Sequence, residues 1–129
     1  MSETSELNVF LNGRIVPQGQ AVISVSDAGF LYGVSVYTTA LAHNGVVFRL
    51  DRHLCRLFDT VQMLGMRSDA TPEALAGATV KLLAANSLAE ARVRITLTPG
   101  SVHGGEPTTL ITASPLPVYP PEWYEKGIG

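Results

Sequence analysis

The chain has 129 residues, the size of one ordinary domain, and its 46% share of hydrophobic residues excludes an intrinsically disordered protein. Nine basic and eleven acidic residues give a formal net charge of −2, which leaves no positive field to attract a nucleic-acid partner. A single cysteine excludes an intramolecular disulfide, and no membrane helix or secretory signal is recognisable, so the sequence predicts a cytoplasmic protein with no membrane partner.

Two β-hairpins are predicted in the first 48 residues. Residues 8–16 place two short apolar runs around Asn12-Gly13, a dipeptide that favours the positive φ angles of a tight turn. Residues 34–48 repeat this pattern, with β-branched and aromatic residues on both sides of His43-Asn44-Gly45. We therefore expect two pairs of antiparallel strands before the first helix.

Two helices are predicted after the second hairpin. Apolar residues recur at three- and four-residue steps from Asp51 to Gly65, which is the period of one buried helix face, and glycine is typical of a helix end. These apolar residues are Leu54, Leu57, Phe58, Val61 and Leu64. Thr71-Pro72-Glu73 then combines an N-cap, a proline at the first helical position and an acid in the first turn, which predicts a second helix to about Asn86.

Two further strands are predicted in the last third of the chain. Residues 91–98 alternate, with apolar side chains on one face and two arginines and two threonines on the other. A turn-rich loop follows, and residues 108–114 are continuous enough in hydrophobic character to form an interior strand. The predicted order is strands, then two helices, then strands. It lacks the alternation of strands with helices that builds a parallel sheet. We therefore predict an α+β fold in which two helices pack on one face of an antiparallel sheet.

Three arginines are candidate binding residues. Arg56 lies about 130° from the middle of the apolar stripe of its helix, so its guanidinium does not face the core. It is suited to hold a phosphate or carboxylate at two points, although an exposed helix arginine is also commonly just solvated. Arg92 and Arg94 share a strand face with Thr96 and Thr98, which suits a small anion but is equally typical of a solvent-facing sheet.

Other chemistries are not favoured by the spacing. Cys55 and His53 are two residues apart on the predicted helix and do not face each other, which argues against a thiol nucleophile. The three histidines lack the spacing of zinc ligands, so we predict no metal site. The glycines of GFLYG and GSVHGG are interpreted as turn formers and not as phosphate cradles.

Two segments, SDAGFLYGVSVYTT and NGVVFRLDRHLCRL, resemble the N-terminal domain of class IV aminotransferases, the fold-type IV pyridoxal-phosphate enzymes that include branched-chain aminotransferases. The resemblance continues through ARVRITLTPG and ITASPLP to WYEKGI. It implies pyridoxal 5'-phosphate as cofactor and a homodimer that transfers an amino group between a branched-chain-like amino acid and a 2-oxo acid. An aminodeoxychorismate lyase-type activity, or a non-catalytic interaction or dimerisation fragment, remains an alternative.

The resemblance also implies roles for five residues. The helix arginine of the FR…H…RL pattern binds the cofactor phosphate in the family, and Arg56 matches it. Tyr32 and Tyr37 match aromatic residues that line the substrate pocket, and Arg94 matches a strand arginine that receives the substrate carboxylate. His103 lies in a loop that reaches toward the active site, in some members that of the neighbouring subunit.

The sequence departs from the family pattern at several positions. Ala28 stands where an arginine is frequent, and Thr38 stands where an acid is common. The loop PGSVHGG lacks the arginine-x-histidine pair of the members that use D-amino acids, which argues against that specificity.

The resemblance further divides the chain. It implies that residues 1–118 form a small N-terminal domain and that residues 119–129 begin an interdomain linker, with the C-terminal cofactor domain absent from this chain. Family members carry their Schiff-base lysine in that second domain, and neither Lys81 nor Lys126 matches it. We therefore predict no catalytic residue among these 129 residues and expect the chain alone to be inactive.

Overall fold

A six-stranded antiparallel sheet organises residues 6–116, the part of the chain that the computed structural model describes. The strands are β1 (Asn8–Leu11), β2 (Arg14–Pro17), β3 (Val36–His43), β4 (Val46–Val47), β5 (Ala91–Thr98) and β6 (Thr108–Pro115). Their order across the sheet is β2-β1-β6-β5-β3-β4. The helices are α1 (Ala28–Tyr32), α2 (Leu50–Leu64) and α3 (Pro72–Ala85). The predicted α+β class is confirmed, while residues 119–129 lie outside the described residues.

Both predicted hairpins form at the expected turns. Asn12 and Gly13 have φ angles of 50° and 91°, and Asn44 and Gly45 have φ angles of 53° and 77°. Two consecutive residues with positive φ are the geometry of a type I′ turn, whose twist matches that of the flanking strands. The first hairpin is also joined to β6, because the Asn12 side chain accepts a hydrogen bond from the backbone N–H of Thr109 at 2.7 Å.

The two long helices begin and end where the sequence predicts. Gly65 ends α2 with a φ of 62°, and the Thr71 hydroxyl caps α3 by accepting a hydrogen bond from the backbone N–H of Ala74 at 3.1 Å. Both helices bury their apolar residues against one face of the sheet. None of the helices between residues 6 and 116 has the length and apolar character needed to cross a membrane.

A third helix, α1, was not predicted. The GFLYG segment was expected to form turns, but Ala28–Tyr32 form one helical turn between two caps. The Asp27 side chain accepts a hydrogen bond from the backbone N–H of Gly29 at 2.7 Å, and Gly33 ends the helix with a φ of 71°. Gly33 is thus a turn former as expected, whereas Gly29 is part of the helix. Five residues are too few to show a helical period in a sequence.

The sheet face opposite α2 and α3 is only partly open. Val9 on this face is 3% exposed, because the segment before α1 lies against β1. At the end of β5 the hydroxyl of Thr98 is buried and donates a hydrogen bond to the Asp27 carboxylate at 2.8 Å. Thr98 is therefore not part of a solvent-facing surface, whereas Arg92 and Arg94 on the same strand face are exposed.

Replacing Gly77 by alanine is expected to raise the free energy of unfolding by about 1 kcal/mol. Gly77 lies in the exposed interior of α3, and an added Cβ would meet no atom within 4 Å. Gly65→Ala is the matched control, because a φ of 62° strains a residue with a Cβ, and this variant is expected to be less stable. Urea denaturation measures both, and a loss of stability in Gly77→Ala would contradict the prediction.

Candidate functional site

A groove of about 580 Å³ lies between the open edge of β3 and helix α2. Strand β3 pairs with β5 along Val36–Ala42 but with β4 only through Ala42 and His43, so its first half has one unpaired edge. The Leu41 carbonyl accepts a hydrogen bond from Phe48 on that side at 2.8 Å. Because backbone groups alternate along a strand, Tyr37 and Thr39 direct their N–H and C=O groups to the same edge. We call this space the edge groove.

Arg56 lines the edge groove from α2. Its helix is fixed by the burial of Leu54, Leu57 and Val61, which leaves Arg56 exposed beside β3. Within residues 6–116 no carboxylate forms an ion pair with its guanidinium and no hydrogen bond engages it. The donors of a planar guanidinium that has no protein partner are available to a phosphate or carboxylate.

His53 also lines the edge groove, one helical turn before Arg56. Its Nδ1 is hydrogen-bonded to the Thr38 hydroxyl at 2.8 Å. Thr38 is uncharged, so this partner of His53 does not offset the positive charge of Arg56. From the sequence, His53 was considered as a partner of Cys55, as one of three histidines without zinc-ligand spacing and as part of the FR…H…RL pattern, but not as a groove residue. The three-residue spacing from Arg56 is the signal that could have placed it in this groove.

Tyr37 connects the edge groove with the open face of the sheet. It lines the groove and is 58% exposed. The guanidinium carbon of Arg94 lies 3.9 Å from the centroid of its ring, across the β3–β5 pair. This stacking occupies the face of the guanidinium and leaves its N–H edge available to an anion. The structure therefore brings Arg56, Tyr37 and Arg94 to one region of β3.

An apolar pocket of about 280 Å³ adjoins this region. Its apolar lining comes from the segment before α1 and from α1 itself, and Thr96 and Thr98 of β5 complete it. The apolar residues are Ile23, Val25 and Phe30. Ser35 lines both this pocket and the edge groove, which places the two spaces side by side. A pocket of this character suits an aliphatic group of a small ligand.

Asp27 fixes the wall between α1 and the sheet. The side chain is 2% exposed and accepts hydrogen bonds from the hydroxyls of Thr98 at 2.8 Å and Thr108 at 2.6 Å. Burial raises the pKa of the Asp27 carboxyl, but the hydrogen bonds from Thr108, Thr98 and the backbone N–H groups of Gly29 and Phe30 outweigh it and hold the pKa below the ordinary value of 3.8. Asp27 was not among the residues predicted from the sequence to belong to a site.

The loop between β5 and β6 is tied to the segment before α1. The backbone N–H of Ala28 donates to the Gly100 carbonyl at 2.8 Å, and that of Val102 donates to the Ser26 carbonyl at 2.9 Å. Gly100 has a φ of 88°, and a side chain there would collide with the Glu106 carbonyl. These contacts hold the loop beside α1.

Tyr32 and His103 lie apart from the edge groove. Tyr32 is the last residue of α1 and is 73% exposed, and His103 is exposed in the loop beside α1. Neither lines the edge groove or the apolar pocket. Their roles in substrate binding stay predictions.

The chain is similar to known aminotransferases along most of its length. A family model described as amino-transferase class IV matches residues 35–128. A Methanocaldococcus jannaschii protein assigned as a branched-chain-amino-acid aminotransferase is 33% identical over 118 residues, which cover 86% of this chain and 41% of that protein. A D-alanine aminotransferase of Bacillus licheniformis is 25% identical over 121 residues, 90% of this chain and 43% of that protein.

A solved structure shows the same fold. The crystal structure of the branched-chain aminotransferase of Thermoproteus uzoniensis with norvaline matches with a TM-score of 0.77 and 27% identity, over 88% of this chain and 42% of that chain. This chain thus spans about two fifths of the length of the relatives described.

Proposed function

The chain belongs to the class IV aminotransferases, and from that premise we propose that it forms the phosphate-binding side and one substrate wall of a pyridoxal 5'-phosphate-dependent aminotransferase. The membership agrees with the resemblance seen in the sequence, and the fold is that of the branched-chain aminotransferase structure. The observation that carries the proposal is the guanidinium of Arg56, which lines the edge groove and has no ion-pair or hydrogen-bond partner among residues 6–116.

The residues of the edge groove fit a phosphate group. Arg56 provides paired N–H donors, Thr60 lies one turn beyond it on α2, and the open edge of β3 adds backbone N–H groups. His53 and Thr38 complete a polar lining without an acid that would repel the phosphate. When bound, pyridoxal phosphate supplies a carbonyl that condenses with amines and a ring that withdraws electrons from the substrate α-carbon.

Arg94 and Tyr37 are proposed to orient the substrate. Stacking on Tyr37 restricts the Arg94 guanidinium to one plane, so its N–H edge is preorganised for a carboxylate. The adjoining apolar pocket beside Phe30 and Val25 has room for an aliphatic side chain. A site that holds a carboxylate at one point and an aliphatic group at another suits a branched-chain-like amino acid and the corresponding 2-oxo acid.

We further propose that the protein works as a homodimer. Phe30 and Tyr32 are 71% and 73% exposed, and Val25 beside them is also largely exposed. Exposed apolar groups of this size are typical of surfaces that another protein surface covers. Together with His103 in the neighbouring loop, Tyr32 would then contribute to the substrate site of the second subunit.

The assay for this function uses the natural protein with pyridoxal phosphate, a branched-chain L-amino acid and a 2-oxo acid acceptor. We expect amino transfer that depends on the acceptor, measured by chromatography of the new amino acid formed from the acceptor and of the 2-oxo acid formed from the donor. D-alanine as donor is the comparison for stereochemistry. Without an acceptor the amino group stays on the cofactor, so only about one equivalent of 2-oxo acid per cofactor is expected. Continued product formation without an acceptor would contradict the proposal, as would no turnover with either donor.

For the polypeptide of 129 residues tested by itself, we expect cofactor binding without a covalent link. Lys81 is exposed on α3 and lines neither the edge groove nor the apolar pocket, and Lys126 lies outside the described residues. After incubation with pyridoxal phosphate and borohydride, the intact mass should remain that of the polypeptide. A gain of one cofactor mass would contradict this expectation, and a Lys81→Arg variant would show whether Lys81 carries it.

A further inference from the structure

The Asp27 side chain joins the parts of the chain that form the apolar pocket. Its Oδ1 accepts a hydrogen bond from the backbone N–H of Gly29 in α1, and its Oδ2 accepts one each from the hydroxyls of Thr98 in β5 and Thr108 in β6. Asp27, Gly29 and Thr98 line the pocket, whereas Thr108 does not. One carboxylate thus holds α1 against two neighbouring strands.

The same hydrogen bonds extend to the loop between β5 and β6. The Thr98 hydroxyl, which donates to Asp27, also accepts a hydrogen bond from the backbone N–H of Gly100 at 3.0 Å. The backbones of Asp27 and Ser101 form an isolated antiparallel bridge. A shift of the Asp27 carboxylate would therefore move α1 together with the loop that contains His103.

Helix α1 lies in direct contact with β5 at Gly29. A Cβ added to Gly29 would lie 2.6 Å from Cγ2 of Thr98 and 2.9 Å from Oδ1 of Asp27, which is closer than packed side-chain atoms approach one another. Phe30, the next residue, contributes an aromatic ring to the pocket lining and donates its backbone N–H to Asp27. The position of this ring relative to β5 therefore depends on how firmly Asp27 holds α1.

A buried carboxylate at this place is not required by packing. Asp27 is 2% exposed, and within residues 6–116 no cationic side chain lies within ion-pair distance of it. Removing a carboxylate from water costs free energy, and an apolar side chain of similar size would avoid that cost. What the carboxylate adds is a set of directed hydrogen bonds that meet at one point. Such a network fixes one arrangement of the elements that it joins.

We propose that Asp27 is a positioning residue that sets the width of the apolar pocket and thereby the preference of the protein for branched aliphatic ligands. It acts through Phe30, because its own oxygens are occupied by hydrogen bonds and its side chain is buried. The inference rests on the proposed function, in which the aliphatic group of the substrate enters this pocket. A gap of roughly 0.5–1 Å removes about a quarter to a half of a van der Waals contact, so a loosely held α1 lowers the preference.

The test is an NMR titration of the natural protein, loaded with pyridoxal phosphate, with two unreactive carboxylates. Propanoate lacks the two methyl groups of 3-methylbutanoate, and we expect the parent to bind 3-methylbutanoate about tenfold more tightly. Thr108→Val removes one donor to Asp27 outside the pocket lining, and Asp27→Asn removes the charge. Each is expected to reduce the preference to about twofold. Thr108→Ser retains the hydroxyl and should keep the preference of the parent.

Thr79→Val is the matched control for the loss of a buried hydroxyl. The Thr79 hydroxyl is also buried, but it donates to the Leu75 carbonyl within α3, on the other face of the sheet. This variant should therefore keep the preference for 3-methylbutanoate. Unfolding curves verify that all variants are folded, and Thr108→Val decides the test alone if Asp27→Asn does not fold.

The other outcomes have separate meanings. A preference for 3-methylbutanoate that is unchanged in folded Thr108→Val would overturn the proposal, as would an equal loss in Thr79→Val or the absence of any preference in the parent. The titration requires no turnover. If the preference changes as expected but no amino transfer is found, the result supports the positioning by Asp27 and contradicts the proposed aminotransferase function.

Discussion

Replacing Asp27 by alanine is expected to lower the free energy of unfolding by about 4 kcal/mol. The carboxylate is 2% exposed and accepts two hydroxyl hydrogen bonds and one from a backbone N–H. Its removal leaves the buried hydroxyls of Thr98 and Thr108 without an acceptor and removes the cap of α1. Urea denaturation of the variant and the parent measures the loss.

Two controls separate this effect from a general cost of losing an acid. Asp69→Ala removes an exposed loop carboxylate and should change stability by less than about 0.5 kcal/mol. Asp27→Asn keeps the size of the side chain but loses the charge, and we expect an intermediate loss of about 2 kcal/mol. An Asp27→Ala variant as stable as Asp69→Ala would show that the network contributes nothing to the fold.

The same network predicts how stability depends on pH. Because the pKa of Asp27 is lower in the folded chain than its ordinary value of 3.8, the unfolded chain takes up the proton first as the pH falls. The contribution of Asp27 is therefore complete above about pH 4 and is lost as the pH falls through the folded-state pKa. The stability of the parent should fall more steeply below pH 4 than that of Asp27→Asn.

The elements that the sequence predicted correctly are those with local causes. The Asn12-Gly13 turn requires positive φ at two adjacent residues, and Thr71 caps its helix within four residues of sequence. The exposure of Arg56 likewise follows from the helical period and the burial of Leu54 and Leu57. Each of these features depends on residues that are close together in the chain, so the local sequence pattern is sufficient to predict it.

The features that the sequence did not reveal depend on distant residues. Asp27 receives its hydrogen bonds from Thr98 and Thr108, which are 71 and 81 residues away in the chain. The edge groove exists because β4 is only two residues long and leaves most of β3 unpaired on that side. No periodicity or motif in the sequence predicts the number of residues over which two strands pair. For the same reason Tyr37 was predicted as a pocket residue, but its stacking with Arg94 was not.

Replacing Arg56 by glutamine is expected to weaken the binding of pyridoxamine 5'-phosphate about 100-fold, equivalent to about 2.7 kcal/mol. The physical reason is the loss of a charged, two-point hydrogen bond in a groove whose described lining contains no other residue with a fixed positive charge. Isothermal titration with the phosphorylated ligand and with pyridoxamine measures the difference. Pyridoxamine lacks the phosphate, so its affinity should not change in the variant.

Arg56→Lys provides the sharper comparison. Lysine retains the positive charge but not the planar fork, so we expect it to recover only part of the preference for the phosphorylated ligand. Arg14→Gln, at the far edge of the sheet, should leave that preference intact. If Arg56→Gln still preferred the phosphorylated ligand as strongly as the parent, the phosphate would have to bind elsewhere.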